Sequence, residues 1–223
     1  MKAKLFNLLP ILVWFVINSL TINSAGLVTS AWSQERSVHQ SRLIDQDMER
    51  AAARIYKNAL KSYNEQAYWK TARELIILLD YYPTFSEVDG VLYHLGESFY
   101  EMAMYKTAAQ MFRFLVTKYT ASKYLPHALY GLQRINYQTE DYSESLKFFS
   151  AITSRFAEAE IIDGARYYAG MAYYHQRDYD NTISTMSKIR ARSDYLEHGL
   201  YTVGLAYLKK KWSIKPSMPY ANS

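Results

Sequence analysis

With 223 residues and no cysteine, the chain is long enough to bury a core without covalent staples. It has no route to a disulfide, a thiolate zinc site, a cysteine nucleophile or a lipid on an amino-terminal cysteine. Eight glycines and five prolines are too few for an all-β protein built on tight turns, and 22 tyrosines dominate an aromatic content of 16%; the net charge of +5 includes Lys2, Lys4 and Lys209 to Lys211, with no stacked cationic face of the kind that binds nucleic acid.

Residues 1–31 read as a secretory signal peptide. Lys2 and Lys4 precede an apolar run from Leu5 to Ile17, and a polar, small-residue stretch follows. Thr29 and Ala31 place cleavage before Trp32, with cleavage before Gly26 as the second choice. The rival is an uncleaved anchor, since Leu5 to Val28 approaches the length of about 20 apolar residues that a bilayer core requires. Either reading exports the rest of the chain. Residues 32–47 are polar and aperiodic, and read as a linker into the first helix.

From residue 48 onward the chain repeats itself every 37 residues. Three columns are tyrosine in all four copies: Tyr56, Tyr93, Tyr130 and Tyr167; Tyr63, Tyr100, Tyr137 and Tyr174; Tyr68, Tyr105, Tyr142 and Tyr179. The first two columns lie seven residues apart, on one face of a helix, with Leu92, Leu95 and Phe99 at helical spacing between and beside them. This is helix A of each unit. Helix B opens at the third column: Asp141 and Asp178 precede its tyrosine as N-caps, and Glu144 stands where a capping box places its acid. Pro83 follows the first helix B and Pro126 falls in the first turn of the third helix A, where a missing amide proton is harmless. After the fourth unit the step shortens to 34, from Gly170 to Gly204, which predicts a fifth helix A over residues 195–211.

A small residue in mid helix A (Ala59, Gly96, Gly170, Gly204) is followed three positions on by Phe99, Tyr173 or Tyr207. A tyrosine followed three later by a small residue (Tyr105 and Ala108, Tyr142 and Ser145, Tyr179 and Thr182) completes a pattern that resembles the tetratricopeptide repeat. The resemblance covers residues 48–211 and implies an all-α fold, a right-handed α-solenoid of about four antiparallel helix pairs plus a carboxy-terminal helix. The 37-residue step, with Tyr82-Pro83, Tyr119-Thr120 and Phe156-Ala157 closing successive helices B, is similar to the envelope tetratricopeptide proteins of Gram-negative bacteria. Those include the outer-membrane assembly lipoprotein and the Tol-Pal-associated division coordinator. Here their tyrosine-proline-x-serine seam survives only in pieces and the lipoprotein cysteine is missing.

That resemblance implies a protein-interaction scaffold, exported to the periplasm, with helices A lining a concave surface. The expected groove comprises Tyr56, Tyr63, Tyr93, Tyr100, Tyr130, Tyr137, Tyr167 and Tyr174, extended by Leu60, Met171 and Leu205. Tyrosine suits such a surface, offering a rigid apolar ring and one hydroxyl for a peptide backbone. The same rings could equally pack on one another to hold the superhelix together. The third column is expected to pack between units. The implied partner is a protein or peptide of the envelope, not nucleic acid, with membrane contact through the amino-terminal segment only.

Nothing in the chain points to an enzyme, a cofactor or a metal. His39, His94, His127, His175 and His198 are isolated, no phosphate loop or nucleophile elbow occurs, and Glu97 with Glu101 read as solvated groove carboxylates. Residues 212–223 form an irregular tail whose two prolines forbid a long helix. The apolar residues of the fifth helix A, Leu200, Tyr201, Val203, Leu205, Tyr207 and Leu208, have no helix B after them, which leaves three accounts open: a lone capping helix, a tail folded under it, or a piece of a longer repeat protein.

Overall fold

The computed structural model describes residues 24–213, with side chains described for residues 39–211. The expected signal segment up to residue 23 and the tail beyond residue 213 lie outside the described residues. Among the described residues there are nine helices and no strand: α1 (Ser24–Asn64), α2 (Tyr68–Tyr81), α3 (Val88–Glu101), α4 (Tyr105–Lys118), α5 (Leu125–Gln138), α6 (Tyr142–Arg155), α7 (Ile162–His175), α8 (Tyr179–Met186) and α9 (Leu196–Ser213). None of them is long and apolar enough to cross a membrane.

The chain forms two compact units, residues 1–51 and 52–223. Described residues of the first are helical, and residues 32–47, expected as a linker, lie within α1. Their Gln, Glu, Arg and Leu residues are good helix formers and no Gly or Pro interrupts them. What the segment lacks is an apolar stripe, so periodicity could not reveal the helix. Leu43, Ile44 and Met48 accordingly stand exposed.

The second unit is the repeat. From α2 onward each helix packs against the next, so that A and B alternate along the stack, and Thr71 of α2 donates to the Ala59 carbonyl of α1 at 3.4 Å. Successive A helices (α3, α5, α7, α9) also touch one another, whereas no two B helices among the described residues do. A row in contact beside a row splayed apart bends the stack, with the A helices inside.

The mid-unit core is built on small residues that admit large ones. Thr71, Ala108, Ser145 and Thr182, the small column of helix B, are all 0% exposed. Phe112, also 0% exposed, is wedged between α3 and α5: a Cβ added at Gly96 would meet its ring at 2.6 Å and one at Gly131 would meet it at 2.5 Å. Met186 fills the same place over Gly170. In the third unit the position of Gly96 is taken by Gln133, fully buried, whose amide donates to the Ala165 carbonyl at 2.8 Å.

Every A–B turn closes the same way. Gln66, Ala103, Glu140 and Arg177, again 37 apart, hold φ of 57–62°. In each, the left-handed residue donates to the carbonyl of the second-column tyrosine (Ala103 to Tyr100, 2.9 Å) and the next residue donates five back (Met104 to Phe99, 2.8 Å), a Schellman motif. None of the four is glycine, although a side chain makes this conformation costly. Ala103→Gly is therefore expected to stabilise the protein by about 0.5–1 kcal/mol, raising the thermal midpoint by roughly 2 °C, whereas Ala109→Gly inside α4 lowers it. Thermal unfolding followed by circular dichroism measures both.

The caps agree with the sequence in part. Asp141 accepts from the Glu144 amide at 3.1 Å and Asp178 from the Asn181 amide at 3.1 Å. The box is only half formed, because the Glu144 carboxylate bonds Lys147 at 2.7 Å while the Asp141 amide is spent on Asn136. The shortened fourth step also has a location. α8 has 8 residues where α2, α4 and α6 have 14, and short turns through Ile189 and Ser193 carry the chain to α9.

Candidate functional site

The two tyrosine columns of helix A differ in depth. Tyr56 is 4% exposed and Tyr130 9% exposed. Tyr56 lies over Gly90 and Tyr130 over Gly164, where a Cβ would come within 2.4 and 2.3 Å of the respective hydroxyl oxygens. The Tyr56 oxygen sits 3.0 Å from His94 Nδ1, which is also 2.8 Å from the Gly90 carbonyl. A carbonyl can only accept, so Nδ1 carries the proton and Tyr56 accepts from it as well. Burial lowers the basicity of His94, which keeps the ring neutral. The Tyr130 and Tyr195 hydroxyls pair at 2.9 Å. Where the next helix carries His127 instead of glycine, Tyr93 stays half-buried, edge-on to that imidazole and stacked on Tyr124 at 4.9 Å. Tyr167, also half-buried, stacks on Tyr195 at 5.2 Å.

The second column is half-buried throughout, and each member meets the third-column tyrosine of its own unit across the A–B turn. Tyr63–Tyr68, Tyr100–Tyr105, Tyr137–Tyr142 and Tyr174–Tyr179 have ring centroids 5.6, 5.5, 5.8 and 5.7 Å apart. The third column thus braces its own hairpin, and Tyr142 alone of these pairs also stacks on His175 of the next unit, at 4.9 Å. Burial raises the Tyr137 phenol to about 12, and the deeper phenols of Tyr56, Tyr93 and Tyr130 are raised further for the same reason. All are neutral hydrogen-bonding groups.

Between the tyrosine columns runs a third, Leu60, Glu97, Arg134, Met171 and Leu205, spaced by the same steps. Leu60, Met171 and Leu205 are half-buried. Glu97 was expected at the groove as a solvated carboxylate and Arg134 was not expected there, although counting 37 from Leu60 reaches both. They form an ion pair whose side chains are only 7% and 13% exposed. The guanidinium lies 4.2 Å from the Tyr100 ring centroid and 4.9 Å from that of Tyr130, and its Nε has no hydrogen-bond partner among the described residues. Glu97 is therefore not solvated as expected; Glu101, one turn on, is exposed. Burial raises the Glu97 carboxyl above the usual carboxylate range, and the Arg134 charge holds that rise in check. Burial alone would lower Arg134, but the Glu97 carboxylate more than offsets it, so the guanidinium stays charged.

The centre of the inner face is consequently a self-neutralised pair framed by phenol rings. It presents apolar edges and hydroxyls, with no uncompensated charge at its floor. Among the described residues no three His, Cys, Asp or Glu side chains converge to hold a metal. A cavity of about 650 Å³ opens where Tyr130, Asp163, Gly164, Arg190 and Tyr195 meet at the shortened fourth seam. Asp163 there is 4% exposed and receives Arg190 Nε at 2.6 Å and Arg166 at 3.0 Å, so it ties α7 to the turn that replaces the end of helix B.

Paired helices, an inner A row and three tyrosine columns can be set beside known structures. The crystal structure of BtubC (BKLC) from P. vanneervenii superposes with a TM-score of 0.61 at 13% identity, covering 80% of this chain and 82% of that one. The fold is a tetratricopeptide-like solenoid. A Podosopora anserina kinesin light chain with nearly identical TPR-like repeats gives a TM-score of 0.58 at 9% identity, over 74% of this chain and 89% of that one. A MamA double mutant (RS-1 ArsTM) gives 0.52 at 15% identity, over 73% and 96%. No protein-family model matches the chain, and no curated protein matches it in sequence. These solenoids establish the fold alone.

Proposed function

We infer that the chain is a non-enzymatic scaffold that holds a protein partner, as an extended peptide or helix, on the inner face of its solenoid. The carrying observation is the row of half-buried rings on adjacent A helices: Tyr63, Tyr93, Tyr100, Tyr137, Tyr167 and Tyr174, with Leu60, Met171 and Leu205. Each ring is partly held by its neighbours and partly open, which suits recognition at small entropic cost. Tyr56 and Tyr130 belong to the same columns but serve as pegs between helices, their hydroxyls already bonded. Because Glu97 and Arg134 neutralise each other, the fitting partner is an apolar or aromatic segment rather than a strongly charged one.

An exported, periplasmic setting in cell-envelope assembly or maintenance is the reading that the first thirty residues support, through their order of charge, apolar run and small residues. An uncleaved anchor holding the scaffold at the inner membrane is the second reading. Mass spectrometry of the native amino terminus separates them, an end near Trp32 favouring the free form. For the groove, Tyr100→Ala combined with Tyr137→Ala is expected to weaken a crosslinked envelope partner at least about tenfold. Unchanged capture together with a lowered melting temperature would assign the rings to packing only.

A further inference from the structure

We propose that α9 is a homodimerisation helix, pairing antiparallel with α9 of a second copy about a two-fold axis at Gly204. Leu200 is 59% exposed, Tyr201 69%, Tyr207 58% and Leu208 55%. The positions equivalent to Leu200 in the second and third units, Leu92 and Leu129, are 4% and 5% exposed, and Phe99, equivalent to Tyr207, is 7% exposed. In those units a helix B covers these two positions, whereas Tyr201 and Leu208 continue the first and second columns of helix A. Gly96 and Gly170 are filled by Phe112 and Met186, whereas a Cβ at Gly204 would meet nothing within 4 Å.

The occupant is written into the face itself. Around Gly204 the helix reads Leu200-Tyr201-Thr202-Val203-Gly204-Leu205-Ala206-Tyr207-Leu208, a palindrome in its bulky residues. Leu200 and Leu208 stand four residues either side of the glycine, Tyr201 and Tyr207 three, and Glu197 and Lys211 seven. At these spacings all of them fall on one stripe of the helix. Antiparallel pairing therefore sets Leu200 against Leu208, Tyr201 against Tyr207 and Glu197 against Lys211, twice over, as an isologous interface requires. Glu197 and Lys211 are both exposed and neither has an ionic partner among the described residues. The glycine at the crossing lets the two backbones approach closely.

Because the chain has no native cysteine, one introduced thiol reports one position. In the full chain, Gly204→Cys is expected to form a disulfide-linked dimer under mild oxidation far faster than Ser184→Cys on α8. Mixing Leu200→Cys with Leu208→Cys chains should give more mixed dimer than either alone. Sedimentation velocity on the full chain should show a dimer that Leu208→Glu converts to a monomer with its melting temperature kept. Glu197→Lys should weaken the dimer on the order of fivefold, and adding Lys211→Glu should restore it. Crosslinking at position 204 no faster than at 184, or sedimentation unchanged by Leu208→Glu, overturns the proposal. So does a monomeric full chain that dimerises only when shortened to Ser213, since residues 214–223 would then be the cover. A full chain that stays monomeric and is bound at α9 only by a different protein overturns it as well.

Discussion

Replacing Phe112 by alanine is expected to remove about 3–5 kcal/mol of stability, lowering the thermal midpoint by roughly 10 °C. The size follows from where the ring sits. It is fully buried and touches backbone on both sides, at Gly96 of its own unit and Gly131 of the next. Neither glycine has a side chain that could relax into the void, so the cavity term is kept nearly whole. Because a solenoid is stable through interfaces between neighbours, the loss falls on the seam joining the second and third units, and the flanking helices should lose hydrogen-exchange protection first. The equivalent Phe149→Ala should be milder: the positions of Gly96 and Gly131 there carry the side chains of Gln133 and Tyr168, and Phe149 is only half-buried. Equal losses at the two sites, measured by thermal and chemical unfolding, would show that the paired glycines are not what makes Phe112 matter.

How much of this was legible depended on whether a column kept its chemistry. Tyrosine at 37-residue steps survived in every copy, so unit length and helix order could be read directly. Gln133 broke the small-residue column, yet the fold kept the register by burying its amide against Ala165, which only coordinates reveal. The left-handed turn residues were invisible because Gln66, Ala103, Glu140 and Arg177 share no side-chain type and none is the glycine such a turn favours. Residues 32–47 gave no signal because a solvated helix needs only propensity, not an apolar period. Arg134 was missed, and Glu97 was read as a groove carboxylate in water, for the opposite reason. Their column changes from leucine to acid to base to methionine, and a charge that is buried by pairing looks, in sequence, like a charge in water.

That pair carries the other large expected effect. Arg134→Met should cost about 3–5 kcal/mol at neutral pH, since it leaves the Glu97 carboxylate buried with no counter-charge. Glu97 is raised in the folded protein by burial and held back by Arg134, so removing the guanidinium moves its folded pKa further up while the unfolded value stays near the ordinary one. A group whose folded pKa is raised stabilises fully below its unfolded pKa and loses that stabilisation as pH rises through the folded pKa. The deficit of Arg134→Met relative to the parent should therefore be smallest near pH 4 and grow toward neutrality. Glu101 and His127 also act on Glu97, so the same titration in a Glu101→Gln, His127→Gln background isolates the Arg134 contribution. Adding Glu97→Gln to Arg134→Met should recover much of the loss, because a neutral amide replaces the stranded charge. A double-mutant cycle by urea unfolding at pH 4 and pH 7 reads the coupling directly. A deficit that is the same at both pH values would mean that packing of Arg134 on the Tyr100 and Tyr130 rings, rather than its charge, is what joins α3 to α5 at the floor of the inner face.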